Sequence, residues 1–338
     1  MSIGNVFERR EIELIFPRQH KSNLILVWLG IFIIFLTGIA FILAILWVHY
    51  TSTVLAILAA VEDVNAATYI SLDDEGPKDP ETGEPIHAKP ITSGLRSSIR
   101  HLRARGGLRE CFRGLRMSID VGMAEFGIRI MISLVLPVSM RSFLGFLVLD
   151  FIARMPLATW QMAWVHRVIA DKSPQHRHRR ILGYRNWPRI APAAALYNFA
   201  MSMTISLTPA VFIAVWSMLG IVRPFEDWEL WQYIAFVLRI LFGIALSVPA
   251  KIIFARVAAS MLPEEDVPIL PFDRSFDGKV AGVSGRGELG LSDAWTTFGW
   301  SARIRFAKIL FKGLGIEIAL VCIGFILIFF ECWAISLI

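Results

Sequence analysis

The sequence predicts an all-α membrane protein: six transmembrane helices in three pseudo-repeats, with amphipathic helices in the loops. Three observations carry this prediction. The first is composition. The chain has 338 residues, 55% hydrophobic and 18% charged, against roughly 25% charged and 45–50% apolar in an average soluble domain. Mean hydropathy is +0.58, which excludes disorder over most of the length and speaks against one water-soluble domain. The second is a set of six apolar stretches, and the third is a regular alternation of long basic connections with short turns. The whole, residues 1–338, reads as a single membrane domain with pseudo-repeats at 20–140, 141–222 and 228–338.

The segment before the first stretch, MSIGNVFERREIELIFPRQHKSN, carries both charge signs and no signal-peptide core. Glycine at position 4 instead of 2 speaks against myristoylation. From Leu24 to Val48 the chain is almost wholly apolar, long enough for a hydrocarbon core of about 30 Å. Helical composition continues through STVLAILAAVEDVNAATYI without Pro or Gly, so the first helix is expected to project beyond the membrane. The other stretches cover 118–140, 143–169, 191–221, 230–262 and 314–337. The second holds Asp120, Glu125 and Arg129, and the third holds Asp150 and Arg154. Glu125/Arg129 and Asp150/Arg154 are both spaced i,i+4, which lets each pair meet on one helix face. Pro156 and Pro249 fall late in the third and fifth stretches, where each is expected to kink the helix before its polar loop.

Only Met140–Arg141–Ser142 separates stretches two and three, and VRPFEDWELW separates four and five. The connections at 70–116, 167–190 and 262–312 are long and polar. Six crossings put these three loops on one face, with 23 of the Lys and Arg residues; the opposite face has six. Basic charge retained on one face is a topology signal in so apolar a chain. The net charge of +6 therefore points to anionic lipid headgroups at the loops and not to nucleic acid. Within the loops, 93–107 and 292–308 have amphipathic spacing; Leu95, Ile99 and Leu102 recur at i, i+4 and i+7 with Arg between them.

Charges inside the spans are the places to look for a site, because burying them is costly. Arg129, Arg154, Arg239 and Lys251 are candidate ligands for a small anion, with Glu125 and Asp150 as buried charge partners. Mutual neutralisation inside the bundle is the competing assignment. Glu317, Arg256 and Asp63 lie near helix ends and are expected to reach the interface. His166, His176 and His178 offer metal-ligand chemistry, but the last two stand among Arg177, Arg179 and Arg180, where a cation is repelled. Trp160 and Trp164 read as interface anchors or bundle packing. AGVSGRGELGL lacks the GKS or GKT of a phosphate loop. Cys111, Cys322 and Cys332 show no paired spacing. No metal, cofactor or catalytic set is expected, and the chain is not read as an enzyme.

The first long loop ends in GGLRECFRGL and the third in RFAKILFKGL. With the alternating loop lengths and the two prolines, this resembles the mitochondrial carrier family, which has three tandem repeats of two helices each. Gly107, Phe112, Arg113 and Gly114 match that family's loop-closing motif, and Phe311, Lys312 and Gly313 match its end. The resemblance implies six spans around a pseudo-threefold axis, transport of a small anionic solute and an address in the mitochondrial inner membrane. It places substrate-contact positions near Val121, Ser206 and Leu320. The family's odd-helix signature reads VEDVNA, PLATWQ and PAKIIF here, with Asp63 the acid in register and no basic partner. This departure implies the second function class, a carrier-derived membrane scaffold or adaptor that does not transport. The chain also resembles fungal multi-pass membrane proteins labelled "ubiquitin carrier protein". It has no His-Pro-Asn motif followed by a nucleophilic Cys, so conjugating chemistry is not implied.

Overall fold

The computed structural model describes residues 18–63, 90–135, 143–172, 184–205, 230–280 and 287–336. The 73–89 loop, the Met140–Arg141–Ser142 turn, His176 and His178, the second half of the fourth stretch, the turn after it and residues 281–286 lie outside them. The helices are α1 (Arg18–Val61), α2 (Leu95–Gly106), α3 (Leu115–Val135), α4 (Phe143–Arg154), α5 (Ala158–Ile169), α6 (Trp187–Ile205), α7 (Leu230–Ser260), α8 (Leu291–Thr296) and α9 (Trp300–Ser336). Strands β1 (Ala170–Lys172) and β2 (Val267–Pro268) pair antiparallel. Among the described residues, three helical segments are long and apolar enough to cross a membrane: Leu24–Val61, Leu241–Ser260 and Trp300–Ser336. α3 fails that test because Asp120, Glu125 and Arg129 interrupt it, and the third stretch is broken into α4 and α5 by the 3₁₀ turn Met155–Leu157 around Pro156. Pro249 instead sits inside α7, whose helix continues to Ser260.

Two compact units result, residues 1–52 with 310–338, and residues 53–309, their boundary falling inside α1 and α9. In the first unit, α1 and α9 pack antiparallel. A Cβ added to Gly30 would lie 2.6 Å from Ile335, one on Gly324 3.0 Å from Phe41, and one on Gly313 2.6 Å from Ser52. The contacts recur every eleven residues on both helices, three turns at a period close to the α-helical one, so the seam is kept with little supercoiling. Glycine against bulk lets the backbones approach. Away from the seam, Leu24, Ile25, Trp28, Phe35, Leu43 and Phe329 are exposed. So large an apolar surface needs lipid around it.

The second unit is built on small-residue faces. Val54, Leu55, Ala59 and Ala60 at the end of α1, Ala163 and Val165 of α5, Ala193 and Ala194 of α6 and Ala250, Ala255 and Ala258 of α7 are all buried. α6 and α7 run antiparallel: Gly243 lies against Met203 and Thr204, and Tyr197 stacks on Phe254 at 4.8 Å. α3 exposes Ile119, Met123, Phe126, Ile130 and Leu134, one stripe at helical spacing, and the first half of α7 exposes Leu230, Ile234, Val237, Leu241 and Phe242.

The three long loops meet at one end of this unit. Glu62 accepts hydrogen bonds from the Ile91 N–H (2.6 Å), the Thr92 N–H (3.1 Å) and the Thr92 hydroxyl. The Asp63 N–H donates to the Pro271 carbonyl at 3.3 Å, and β1 joins the second loop to the third through β2. The Leu289 N–H donates to Ser260 Oγ at 3.2 Å, and Arg189 pairs with Glu288 at 3.0 Å. In the expected amphipathic segments, α2 forms with Leu102 buried. The stretch 292–308 divides between α8 and the first turns of α9.

Candidate functional site

The two i,i+4 pairs of the sequence close into one ring. Arg154 Nε donates to Asp150 Oδ2 at 3.0 Å and its Nη2 lies 3.3 Å from Glu125 Oε2. Arg129 Nη2 contacts Asp150 Oδ1 and stands 3.5 Å from Glu125 Oε2. Each guanidinium thus touches both carboxylates, and the formal charge sums to zero. Ser202 donates to Asp150 Oδ2 at 2.6 Å, and the Gln161 amide reaches Asn198 Oδ1 at 3.1 Å and Glu125 Oε1 at 3.5 Å. The Asp150 side chain is 1% exposed and that of Arg154 7%. Helices α3, α4, α5 and α6 each supply a member. Such a ring survives burial because every charge has an opposite neighbour and added hydrogen bonds.

The loop-closing motif also has a local physical role. Gly107 and Gly114 both have φ of +72°, a left-handed conformation suited to glycine, and they bracket the 3₁₀ helix Gly107–Phe112. Between them Arg113 reaches the second long loop: it contacts Glu110 and the Ala170 carbonyl, donates to the Val168 carbonyl at 3.3 Å, and lies 3.8 Å from Asp171. Phe311, Lys312 and Gly313 lie inside the unbroken α9, Gly313 on the seam with Ser52. The two tripeptides share letters and not conformation, because no turn precedes the second.

A cleft of about 220 Å³ opens among the loops, lined by Glu62, Asp63, Asp273, Asp277, Arg256 and Arg305 together with Phe276, Phe298 and the start of α9. Arg256 is 7% exposed and does not reach an interface as its place near a helix end led us to expect. Its Nη1 donates to the Ala60 carbonyl (3.3 Å) and its Nη2 to Thr297 Oγ1 (2.8 Å), with Phe276 and Phe298 within 4.7 and 5.1 Å of its guanidinium carbon. Burial alone would raise the Asp273 carboxyl, but hydrogen bonds from the Ser275 hydroxyl and the Asp277 and Ser275 N–H groups take it below its ordinary value. Phe276, Asp277 and Gly278 all have positive φ, at 50°, 58° and 72°.

Of the four proposed anion ligands, the structure brings Arg129 and Arg154 together and places Lys251 elsewhere, in a cavity of about 20 Å³ with Trp164, Tyr197 and Phe254. The Arg239 side chain lies outside the described residues. His166 is buried, its Nε2 2.7 Å from the Ala258 carbonyl. Glu317 meets His49 at 3.3 Å, and Glu331 accepts from Thr37 at 2.8 Å. Burial, with the charge of Arg105 and against that of Glu62, lowers the His101 pKa from 6.5; burial raises that of the Cys111 thiol. All three cysteines are free. No protein-family model, curated protein or solved structure matches the chain. Sequence reasoning missed Ser202, Asn198 and Arg305. Only Asn198, a polar residue in an apolar stretch, left a signal.

Proposed function

We propose that the protein is a multi-pass membrane scaffold that does not transport: an apolar α1/α9 hairpin holds it in the bilayer, and its interlocked loops present a binding cap. The observation that carries this reading is the pairing of both Arg129 and Arg154 with Asp150 and Glu125. A transported anion would have to displace Asp150 or Glu125 from a buried, neutral ring, and each guanidinium already holds both. The apolar outer surface of the hairpin and the polar cleft among the loops support the same division of labour. Exposed Arg96, Arg100, Arg103 and Arg109 on the first loop add a basic face for anionic headgroups.

Uptake of anionic metabolites into proteoliposomes tests the reading. A scaffold gives no uptake above protein-free vesicles. Saturable uptake that is lost in Arg129→Ala, with folding intact, would overturn it. The second reading is carrier-like transport of a small anion, favoured by the gathering of all three long loops at one end. Its expected address, the mitochondrial inner membrane, is tested by the fluorescence of a tagged chain against organelle markers.

A further inference from the structure

The cleft of the second unit holds side-chain donors with no hydrogen-bond partner among the described residues. α9 begins at Trp300 behind Gly299, which has no side chain to cap it, and the first intrahelical bond runs from the Arg303 N–H to the Gly299 carbonyl. The N–H groups of Trp300, Ser301 and Ala302 precede that ladder, and Gly299, Ser301 and Ala302 line the cleft. Arg305 lines it too. Its Nε and Nη2 are buried and, among the described residues, have no hydrogen-bond partner. These two nitrogens share one edge of the guanidinium, the fork that takes two oxygens of a single oxyanion. Arg256, more than nine-tenths buried in the same lining, has an unpartnered Nε as well. Buried N–H groups without acceptors are costly and rare in folded proteins. A helix N-terminus beside them adds positive potential and further donors.

The rest of the lining is acidic. Glu62 and Asp273 spend their oxygens on Ile91, Thr92, Ser275 and the Asp277 N–H. Asp63 and Asp277 lie in the field of Arg256, and Asp277 is exposed. A bare anion would meet Arg305 but also these carboxylates. A ligand with an anionic and an ammonium end meets both. We propose that the cleft binds a phosphoethanolamine-type zwitterion, its phosphate oxygens on the Arg305 Nε–Nη2 edge and the α9 N-terminus, its ammonium toward Asp277. The cavity of about 220 Å³ suits a group of headgroup size. Both a soluble phosphoamine and a lipid headgroup carry this chemistry.

The test is calorimetric titration of the full chain, in maltoside micelles, with phosphoethanolamine. The expected result is saturable binding, weakened about tenfold or more in Arg305→Lys, which keeps the charge and loses the fork, and in the exposed Asp277→Asn. Lys308→Ala, exposed and outside the cleft lining, should bind as the parent does. Displacement by micellar phosphatidylethanolamine and not by phosphatidylglycerol identifies a lipid headgroup as the source; no displacement by either identifies a soluble phosphoamine. The proposal is overturned by no binding, by equal binding in both cleft variants, or by inorganic phosphate, ethanolamine or glycine binding as tightly. Displacement by phosphatidylglycerol as strong as that by phosphatidylethanolamine would overturn it too. Neither outcome bears on uptake, so this inference and the scaffold reading fail separately.

Discussion

Replacing Arg154 with methionine removes one of two cations from a ring that holds two buried carboxylates. The parent side chain sits 3.0 Å from Asp150 and 3.3 Å from Glu125. Each contact has a gross Coulomb attraction of about 5 kcal/mol at an effective dielectric of roughly 20, most of it offset by desolvation. The variant leaves Arg129 alone between two carboxylates, and stranding a buried charge in this way costs about 3–5 kcal/mol. For a unit of this size that corresponds to a fall of roughly 6–20 °C in Tm. The assay is thermal unfolding in mild detergent, followed by intrinsic tryptophan fluorescence. The decisive comparison is Glu125→Gln combined with Arg154→Met, which restores neutrality by leaving the Arg129–Asp150 pair with Ser202. If the ring is one electrostatic unit, the double variant recovers most of the lost stability. A single variant costing under about 1 kcal/mol, or a double variant no more stable than the single, would refute the reasoning.

Gly114→Ala should be more damaging than Gly107→Ala: both carry φ of +72°, but only at Gly114 would the new Cβ meet Trp164, at 3.2 Å. Thermal unfolding should show about 1–3 kcal/mol for the backbone at either site and a further loss at Gly114. On the hairpin, Gly324→Leu should destabilise α1 against α9 while Gly315→Leu, with nothing within 4 Å of its Cβ, should not; resistance to dissociation by SDS reports the difference. His101 titrates below its ordinary value of 6.5 in the fold. Its contribution to stability is therefore present above that pH and lost as pH falls through the lowered pKa. Tm in His101→Gln should vary less with pH over that window than in the parent.

The parts of this fold legible in the sequence are those encoded by runs. α1, α7 and α9 announce themselves by length and apolar density, and the i,i+4 spacing of Glu125/Arg129 and Asp150/Arg154 makes each pair visible on its own helix. Nothing local says that the pairs meet, because that depends on how α3 packs against α4. Ser202 is one hydroxyl among several on an apolar helix, and its role exists only because Asp150 faces it. Arg256 shows the opposite failure. Its distance from the helix end predicted escape to an interface, but Phe276 and Phe298, twenty and forty-two residues further on, close over it. FRGL and FKGL are one of the features behind the repeat expectation, beside the loop alternation and the two prolines, and letters alone do not report that Gly114 turns the backbone while Gly313 packs inside a helix.

The polar residues of the hairpin argue for an anchor and against a conduit. Glu317 and Glu331 are fourteen residues apart on α9, close to four helical turns, so both lie on one face. That face is the seam, since each meets a donor on α1: His49 for the first and Thr37 for the second. A slip of one turn along the seam would separate both acids from their donors and set Gly30, Gly313 and Gly324 against the wrong neighbours. The acids and glycines therefore specify the same alignment by independent means, electrostatic and steric. A conduit would need such groups to line open space. Here Glu317 and Glu331 each commit one oxygen to α1, at the seam between the two helices, which supports the anchor proposed above.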